Sequence, residues 1–581
     1  MKFSKILTVA FVALGATLAL SGCIRETYPK DSAITKEQIK GGQVDLLAKG
    51  ISRGYLAPAF GMWEHTDFGF PSVNVYNDHS AQIICTNGWT MGQAPAYNRF
   101  MHGSWGKGYG ANGYMSHHYW YSYYPSIKSC NDILSLPADD SLTQTYKAIA
   151  RTYRAMFYLD LARHFECLYI PADLSDNAAT YEEQWNMVQG LTVPIVTELT
   201  DESAAEANPR VTREEMYTFI LGDLEAAAEV FANPEYSKPS ATDPDLAVVY
   251  GLMARTYLWL GGFEDGLNGE LPEGNEAYAK ASEYANKAIQ EFGGAVMTEA
   301  EWTDPYSGFN TKASSWMWTL YHSSDTLAGN LHQFVAHMAP EASYGYCPFT
   351  NPGIGSKYYD YMSDTDFRKK LIVAPEWSNW DTFKNYTVIT DKAEFESFAP
   401  YTFFKFRPAN GNRTDYMSAG AIAIPLMRCE EMYFIDIETA YHLNGPDAGL
   451  TKLIQWMNAY RDPGFRYATQ DFLDLIIKHK AIEFWGEGIV MFDMKRLDMG
   501  VECKYDGTNY DEQRRFNSEH RLSWWTPAIP EGETQVNQGI PAAQNNPDPT
   551  DVIVAITVPF SSVRYTSISR FFSSSITFFV G

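Results

Sequence analysis

Residues 141–165 read SLTQTYKAIARTYRAMFYLDLARHF. Tyr146, Ile149, Tyr153, Phe157 and Leu161 recur at steps of three and four, which places them on one stripe of an α-helix. Ser141 or Thr143 stands where it can cap the first turn. A helix with a single apolar stripe must bury that stripe against a neighbour. The neighbours can be read in the same way. Residues 211–231, VTREEMYTFILGDLEAAAEVF, place Thr212 before two glutamates, a start signal, and carry Met216, Phe219, Ile220, Leu224 and Ala227 on one face. Residues 246–261 and 276–291 form a pair split by the loop GGFEDGLNGELPEG. Residues 428–443 and 447–460 form another, split by Asn444-Gly445-Pro446, and QDFLDLIIKHKAIEFWGE (470–487) forms a last helix.

Small residues such as Ala254, Ala281 and Ala285 suit close antiparallel packing of such pairs. The expected fold is mainly α: a tetratricopeptide-like helix-pair scaffold with long irregular loops and few short strands, although no strict 34-residue register is visible. Stacked pairs share one continuous core, because no pair can bury its apolar face alone. Between the helices lie segments rich in Gly, Pro, Asn and aromatic residues, at roughly 52–115, 166–192, 296–425 and 500–550. Loops this long are usually functional, so the scaffold is expected to be a frame and the loops to bind.

The chain opens MKFSKILTVAFVALGATLALSGC. Lys2 and Lys5 precede an apolar run from Ile6 to Leu20 that is too short for a spanning helix, so residues 1–22 are expected to be an export signal. Leu20-Ser21-Gly22-Cys23 looks like a bacterial lipobox, which implies cleavage before Cys23 and its acylation. Residues 23–45 would then be a lipidated tether that anchors the protein to a membrane without threading it. The net charge of −25 becomes −27 without the two leader lysines, which argues against nucleic acid and anionic lipid as partners. Six cysteines beyond Cys23 show no zinc spacing, and their pairing is open.

The helices also carry a resemblance. RTYRAMFYLDLARHF followed by VPIVTE (193–198), then PRVTREEMYTFILGDLEAA (209–227) and AVVYGLMARTYLWLGGFEDG (247–266), resemble successive blocks of the SusD/RagB family. RCEEMYFIDIETAYHLNG (428–445), IIKHKAIEFWGEGIVMFDMKRLD (476–498) and IPEGETQVNQGIPAAQNNP (529–547) resemble its later blocks, in family order. His479 and Lys480 stand where the family often has Glu-Arg, and Ile489 and Val490 replace a common arginine and aromatic. The resemblance implies an outer-membrane lipoprotein facing the cell exterior, non-catalytic, that captures an oligosaccharide for a SusC-like TonB-dependent barrel. It divides the chain into an N-terminal region (46–300) with a ligand loop at 86–115, a C-terminal region (301–549), and a tail (550–581) beyond the family's usual end. The alternatives are a structural lid of the transporter with a peptide ligand and, behind it, a glycoside hydrolase. No cofactor is expected; a structural calcium in a loop stays open.

Where would a sugar sit? Gly108-Tyr109-Gly110-Ala111-Asn112-Gly113 matches G-x-G-x-x-G, but the preceding residues are not strand-like, so the dinucleotide reading lacks its context. From about His117 the sequence turns helical, with Tyr124, Ile127, Asn131 and Leu134 on an inward stripe. The loop 86–115 remains. A sugar offers a C–H face that an aromatic ring can bury, and a rim of hydroxyls that cost about 1–3 kcal/mol each if left unpaired. Trp89, Trp105 and Tyr109, with Asn87, Asn98, Arg99 and Asn112 close by, are the leading contacts, and Trp316 in the strand-like SSWMWTLYHSS is next. Each ring could equally pin the loop to the scaffold. Competing clusters are Trp63, Trp377 with Trp380, and the tyrosines from Tyr344 to Tyr361. Glu430-Glu431 and Glu483 with Glu487 offer paired carboxylates. The latter two are read as neighbours on one helix face, which cannot straddle a sugar as hydrolysis needs. They are read as solvated or helix-pairing charges. No H-E-x-x-H or G-x-S-x-G occurs.

Overall fold

The helix expected over 141–165 is one continuous element, but neither Ser141 nor Thr143 caps it. Asp140 does: its carboxylate accepts the Thr143 N–H and hydroxyl, both at 2.8 Å. A carboxylate there satisfies an orphan amide and faces the positive end of the helix. The computed structural model describes residues 44–59, 65–86, 108–137, 140–168, 178–324, 327, 329–466 and 471–550. Its longer helices are α1 (Val44–Leu56), α2 (Phe70–Ser80), α3 (Tyr114–Leu134), α4 (Ser141–Phe165), α5 (Arg213–Phe231), α6 (Leu246–Gly261), α7 (Gly274–Phe292), α8 (Cys429–Asn444), α9 (Pro446–Tyr460), α10 (Phe472–Glu483) and α11 (Val490–Arg496). The leader, Cys23 and the tail beyond Thr550 lie outside the described residues. The described residues from Ala48 onward group as one compact unit.

Sequence neighbours pack on one another: α3 on α4, α4 on α5, α6 on α7, α7 on α8 and α8 on α9. The α5 start is a capping box, with Thr212 and Glu215 each satisfying the other's amide. Helix α7 turns Ala277, Ala281, Ala285 and Ala288 inward, all fully buried, so its backbone can lie close to α6 and α8. The fold is the mostly helical, pair-stacked one expected.

Among the described residues, four short strands complete the frame: β1 (Ile84–Cys85), β2 (Trp316–Tyr321), β3 (Gly353–Ile354) and β4 (Ala423–Arg428). β1 pairs with β3 and β2 with β4, both antiparallel. The strand-like reading of 316–321 holds, but both faces are covered and only Tyr321 is exposed. Met427 of β4 presses on Gly251 of α6, where an added Cβ would stand 2.3 Å from the Met427 sulfur.

The centre of the C-terminal half is charged. Arg428, at the end of β4, reaches Glu487 at 2.9 Å and Glu483 at 3.2 Å. Arg461 binds Glu483 at 2.8 Å and Glu430 at 3.2 Å; Arg368 binds Glu483 at 2.9 Å and Asp366 at 2.7 Å; Lys405 binds Glu487 at 2.6 Å. Four cations thus face four carboxylates, all buried. The Trp302 ring lies against Arg461 and Arg428, 5.1 and 5.7 Å from their guanidinium carbons. Beside this cluster, Lys480 and Arg496 bind Glu438 and Asp493. Glu483 and Glu487 are not the solvated or helix-pairing charges of one helix that their spacing predicts. The helix ends at Glu483, the chain turns at Gly486 (φ +79°), and both carboxylates are buried on Arg428. Lys480 fills the cationic place the resemblance assigned to an arginine. His479 is buried as a neutral ring, its pKa pushed down to about 3 by burial and then by Arg368.

Candidate ligand-binding surface

At the G-x-G-x-x-G stretch the chain's own carboxylate takes an amide where a phosphate would have to bind. The Ala111 N–H donates to Asp548 Oδ2 at 3.1 Å, and Gly110 lies so close that an added Cβ would be 2.6 Å from the Asp548 carboxylate. The Tyr109 and Ala111 carbonyls accept the Ala528 and Glu531 N–H groups, each at 2.9 Å. Gly110 is therefore there for close approach of the C-terminal segment, and α3 begins at Tyr114 directly after the stretch.

This packing corrects one expected contact. Tyr109 is 1% exposed, its ring tilted against Tyr119, and burial pushes its hydroxyl up to about 12. Its backbone carbonyl is held by the Ala528 N–H while its ring points to Tyr119. Trp316 is a second correction: it is fully buried against Phe309, since β2 is covered on both faces. Asn112 is exposed at the surface. Asn87, Trp89, Asn98, Arg99 and Trp105 lie outside the described residues, as does Trp63. The inward stripe of α3 is present: Ile127, Asn131 and Leu134 are buried, and Asn131 Oδ1 accepts from Arg154 at 2.7 Å.

Three half-buried rings, Tyr344, Tyr346 and Tyr416, gather elsewhere, around Gly345. Gly345 adopts φ +74° and packs on Ala336, where an added Cβ would stand 2.5 Å from the alanine Cβ. Only glycine takes that backbone and that approach without strain. Its two neighbours part there. Tyr344, half-buried, donates its hydroxyl to Gln333 at 3.2 Å and meets Tyr416 edge-on, ring centres 6.4 Å apart. Tyr346, half-buried, meets His65, whose Nδ1 is 2.6 Å from the tyrosine hydroxyl. Met417 beside Tyr416 is 37% exposed. Around Tyr416 runs a polar rim: Asn412 accepts the Thr414 and Asp415 amides, Asp415 accepts the Met417 amide, and Thr414, Asp415 and Ser418 are exposed. Gln333 is fully buried and donates to the Gly329 and Tyr416 carbonyls, which ties the two tyrosine-bearing segments together. Flat rings beside hydroxyl, amide and carboxylate groups are what a sugar's two chemistries require. Tyr344 and Tyr346 were among the competing clusters in the sequence. Tyr416 carried no signal of its own, lying in an irregular segment whose partner is 72 residues away in the chain.

Among the described residues no group of three or more His, Cys, Asp or Glu is arranged to hold a metal ion, and no helix is long and apolar enough to cross a membrane. Cys85, Cys130, Cys167, Cys347, Cys429 and Cys503 are buried free thiols.

Two family models match the sequence. One, described as the SusD family, matches residues 276–548; the other, described as starch-binding associating with outer membrane, matches residues 86–258. The chain belongs to the SusD family. Solved SusD-like structures share its fold. A SusD-like carbohydrate binding protein from Bacteroides vulgatus ATCC 8482 is 20% identical, with a TM-score of 0.63 over 86% of this chain and 97% of its own. A SusD superfamily protein from Bacteroides thetaiotaomicron VPI-5482 is 18% identical, with a TM-score of 0.61 over 88% and 100%. A laminarin binding SusD-like protein is 16% identical, with a TM-score of 0.54 over 86% and 98%. None of the curated proteins matches the sequence. The buried Arg428, Glu430, Glu483 and Glu487 all fall inside the SusD-matched residues, so these motif charges hold the scaffold together and none of them lies on the aromatic face.

Proposed function

We propose that this protein is a cell-surface lipoprotein that binds an oligosaccharide without cleaving it and passes it to a SusC-like TonB-dependent barrel in the outer membrane. What carries the proposal is the match to a starch-binding family on a chain whose described surface sets Tyr344 and Tyr416 beside a rim of polar groups. The laminarin-binding relative supports glycan as the ligand class. Trp89 and Trp105, with Asn87, Asn98, Arg99 and Asn112, are proposed as further contacts on the sequence argument alone. Tyr109 and Trp316 are withdrawn, being buried. The lipobox ending at Cys23 supports the anchor.

Titration calorimetry against a glycan panel tests the ligand class. At least one glycan should bind, and Tyr344→Ala with Tyr416→Ala should weaken it about tenfold or more, the usual scale for aromatic anchors. Binding of peptides and of no glycan would overturn the reading. For the anchor, Cys23→Ala is expected to move the protein from the membrane fraction to the soluble fraction; firm attachment of the variant would refute acylation there.

A further inference from the structure

A second concavity lies apart from the aromatic face. It is a cleft of about 250 Å³ walled by α10, the end of α2, the helix Ser356–Tyr361 and the loop that follows α11. Its size is that of one small polar molecule, several times the roughly 30 Å³ share of a water in the liquid. Its apolar lining residues are Tyr358, Ile477, Met494 and Val501, all buried, and the half-buried Met499. One wall is a short antiparallel ribbon in which the Ser518 N–H donates to the Val501 carbonyl at 2.9 Å and the Cys503 N–H to the Phe516 carbonyl at 3.1 Å. That wall also holds Gly500 against the Ser518 backbone.

Polar groups also line the cleft, and most are already fixed. Asp474 holds Lys478 at 2.7 Å, and Asp498 holds Arg521 at 2.8 Å and His520 at 2.9 Å. The Lys357 ammonium donates to the Glu502 carbonyl at 2.7 Å, which leaves it two further N–H donors. Glu502, 3.7 Å from Lys357, and the exposed Glu519 stand at the mouth. The cleft thus sets donors and acceptors beside apolar groups. Strain gathers here too: two of the eight described non-glycine residues in the left-handed region, Gln82 (φ +59°) and Asp498 (φ +53°), line this one cleft. Such strain persists where surrounding structure enforces it, and it concentrates at ligand clamps.

We propose that this cleft is a second carbohydrate subsite, sized for one neutral sugar residue. The C–H face would lie on the half-buried Met499, with hydroxyls donating to the carboxylates and accepting from Lys357 and Lys478. This rests on the glycan-binding reading above, but none of the cleft's residues belongs to the aromatic face. An anionic ligand is disfavoured by four lining carboxylates. A cationic ligand gains no support from them, because acid excess is general in a chain of net charge −25 and three of the four are already paired.

Ligand-observed saturation-transfer NMR on the full chain tests the inference, with free glucose, galactose, mannose and N-acetylglucosamine as probes and 1,5-diaminopentane as the cationic comparator. One or more of the sugars should bind. Met499→Trp, which fills the cleft, should weaken that binding about tenfold or more, as should the surface pair Glu502→Gln with Glu519→Gln, while Tyr344→Ala with Tyr416→Ala leaves it unchanged. Sugar signals untouched by both cleft variants would overturn the subsite, as would diamine binding lost in Met499→Trp without any sugar bound. If oligosaccharides bind the aromatic face and no monosaccharide binds the cleft, the inference fails and the proposed function stands. If no glycan of any length binds, both fail.

Discussion

Glu483→Gln is expected to lower the unfolding free energy by about 3–5 kcal/mol, the cost of leaving buried charge uncompensated. Glu483 is fully buried and takes Arg461 at 2.8 and 2.9 Å, Arg368 at 2.9 Å and Arg428 at 3.2 Å. Removing its charge leaves four buried cations against three carboxylates. The three guanidinium groups, Arg461 first, hold Glu483 well below the usual carboxylate range despite the opposing effect of burial. The sign follows. Its stabilisation is full above the ordinary glutamate pKa and is lost as pH falls through the depressed folded value. Urea unfolding of wild type and variant should therefore differ most near neutral pH and converge in strong acid. An exposed pair gives the control: Lys280→Ala, which leaves Glu283 to Lys287, should cost less than about 1 kcal/mol. Equal losses for the two variants would show that the central cluster is no stronger than a surface pair.

That cluster marks the limit of what could be read in advance. Helices declared themselves through spacing: the stripe from Tyr146 to Leu161 is buried as expected, and Thr212 caps where a threonine before glutamates should. Charges carry no such period. Glu483 and Glu487 look like surface residues until Arg368, Arg428 and Arg461 are brought to them from 22 to 115 residues away. The short α11 was missed because its seven residues, VMFDMKR, give barely two turns of pattern and are buried on every side.

Loop rings are harder still. Nothing in GYGANG says that a segment more than 400 residues later will hydrogen-bond to its backbone and set a carboxylate at the Ala111 amide, or that the Tyr109 ring will meet Tyr119. The fate of an aromatic ring in a long loop is decided by what covers it, which is a tertiary fact. The same holds for Tyr344 and Tyr416, whose meeting depends on Gly345 packing against Ala336 and on Gln333 tying the two segments. Composition predicted that outward rings would exist and could not say which.

The opposite pH signature is expected from Asp78→Asn. Asp78 lies on α2, fully buried, with Oδ2 accepting the Gly486 N–H at 2.6 Å and Oδ1 without a hydrogen-bond partner. Burial pushes its carboxyl up to about 7, against the pull of the Gly486 and Gly488 amides and of Lys405. A carboxyl with a raised folded pKa contributes its full stability below the unfolded value and loses it as pH rises to the folded one. Between about pH 4 and pH 7 the wild type should therefore lose stability through this group, by up to roughly 4 kcal/mol for a shift of about three units. The asparagine variant keeps an acceptor for Gly486 and has no charge to bury. It should be close to wild type at about pH 5 and more stable by about 1–3 kcal/mol at about pH 8.5, read from urea midpoints. A variant less stable by the same amount at both pH values would mean that Asp78 is ionised throughout and that its charge, balanced by Lys405, holds the turn between α10 and α11 in place.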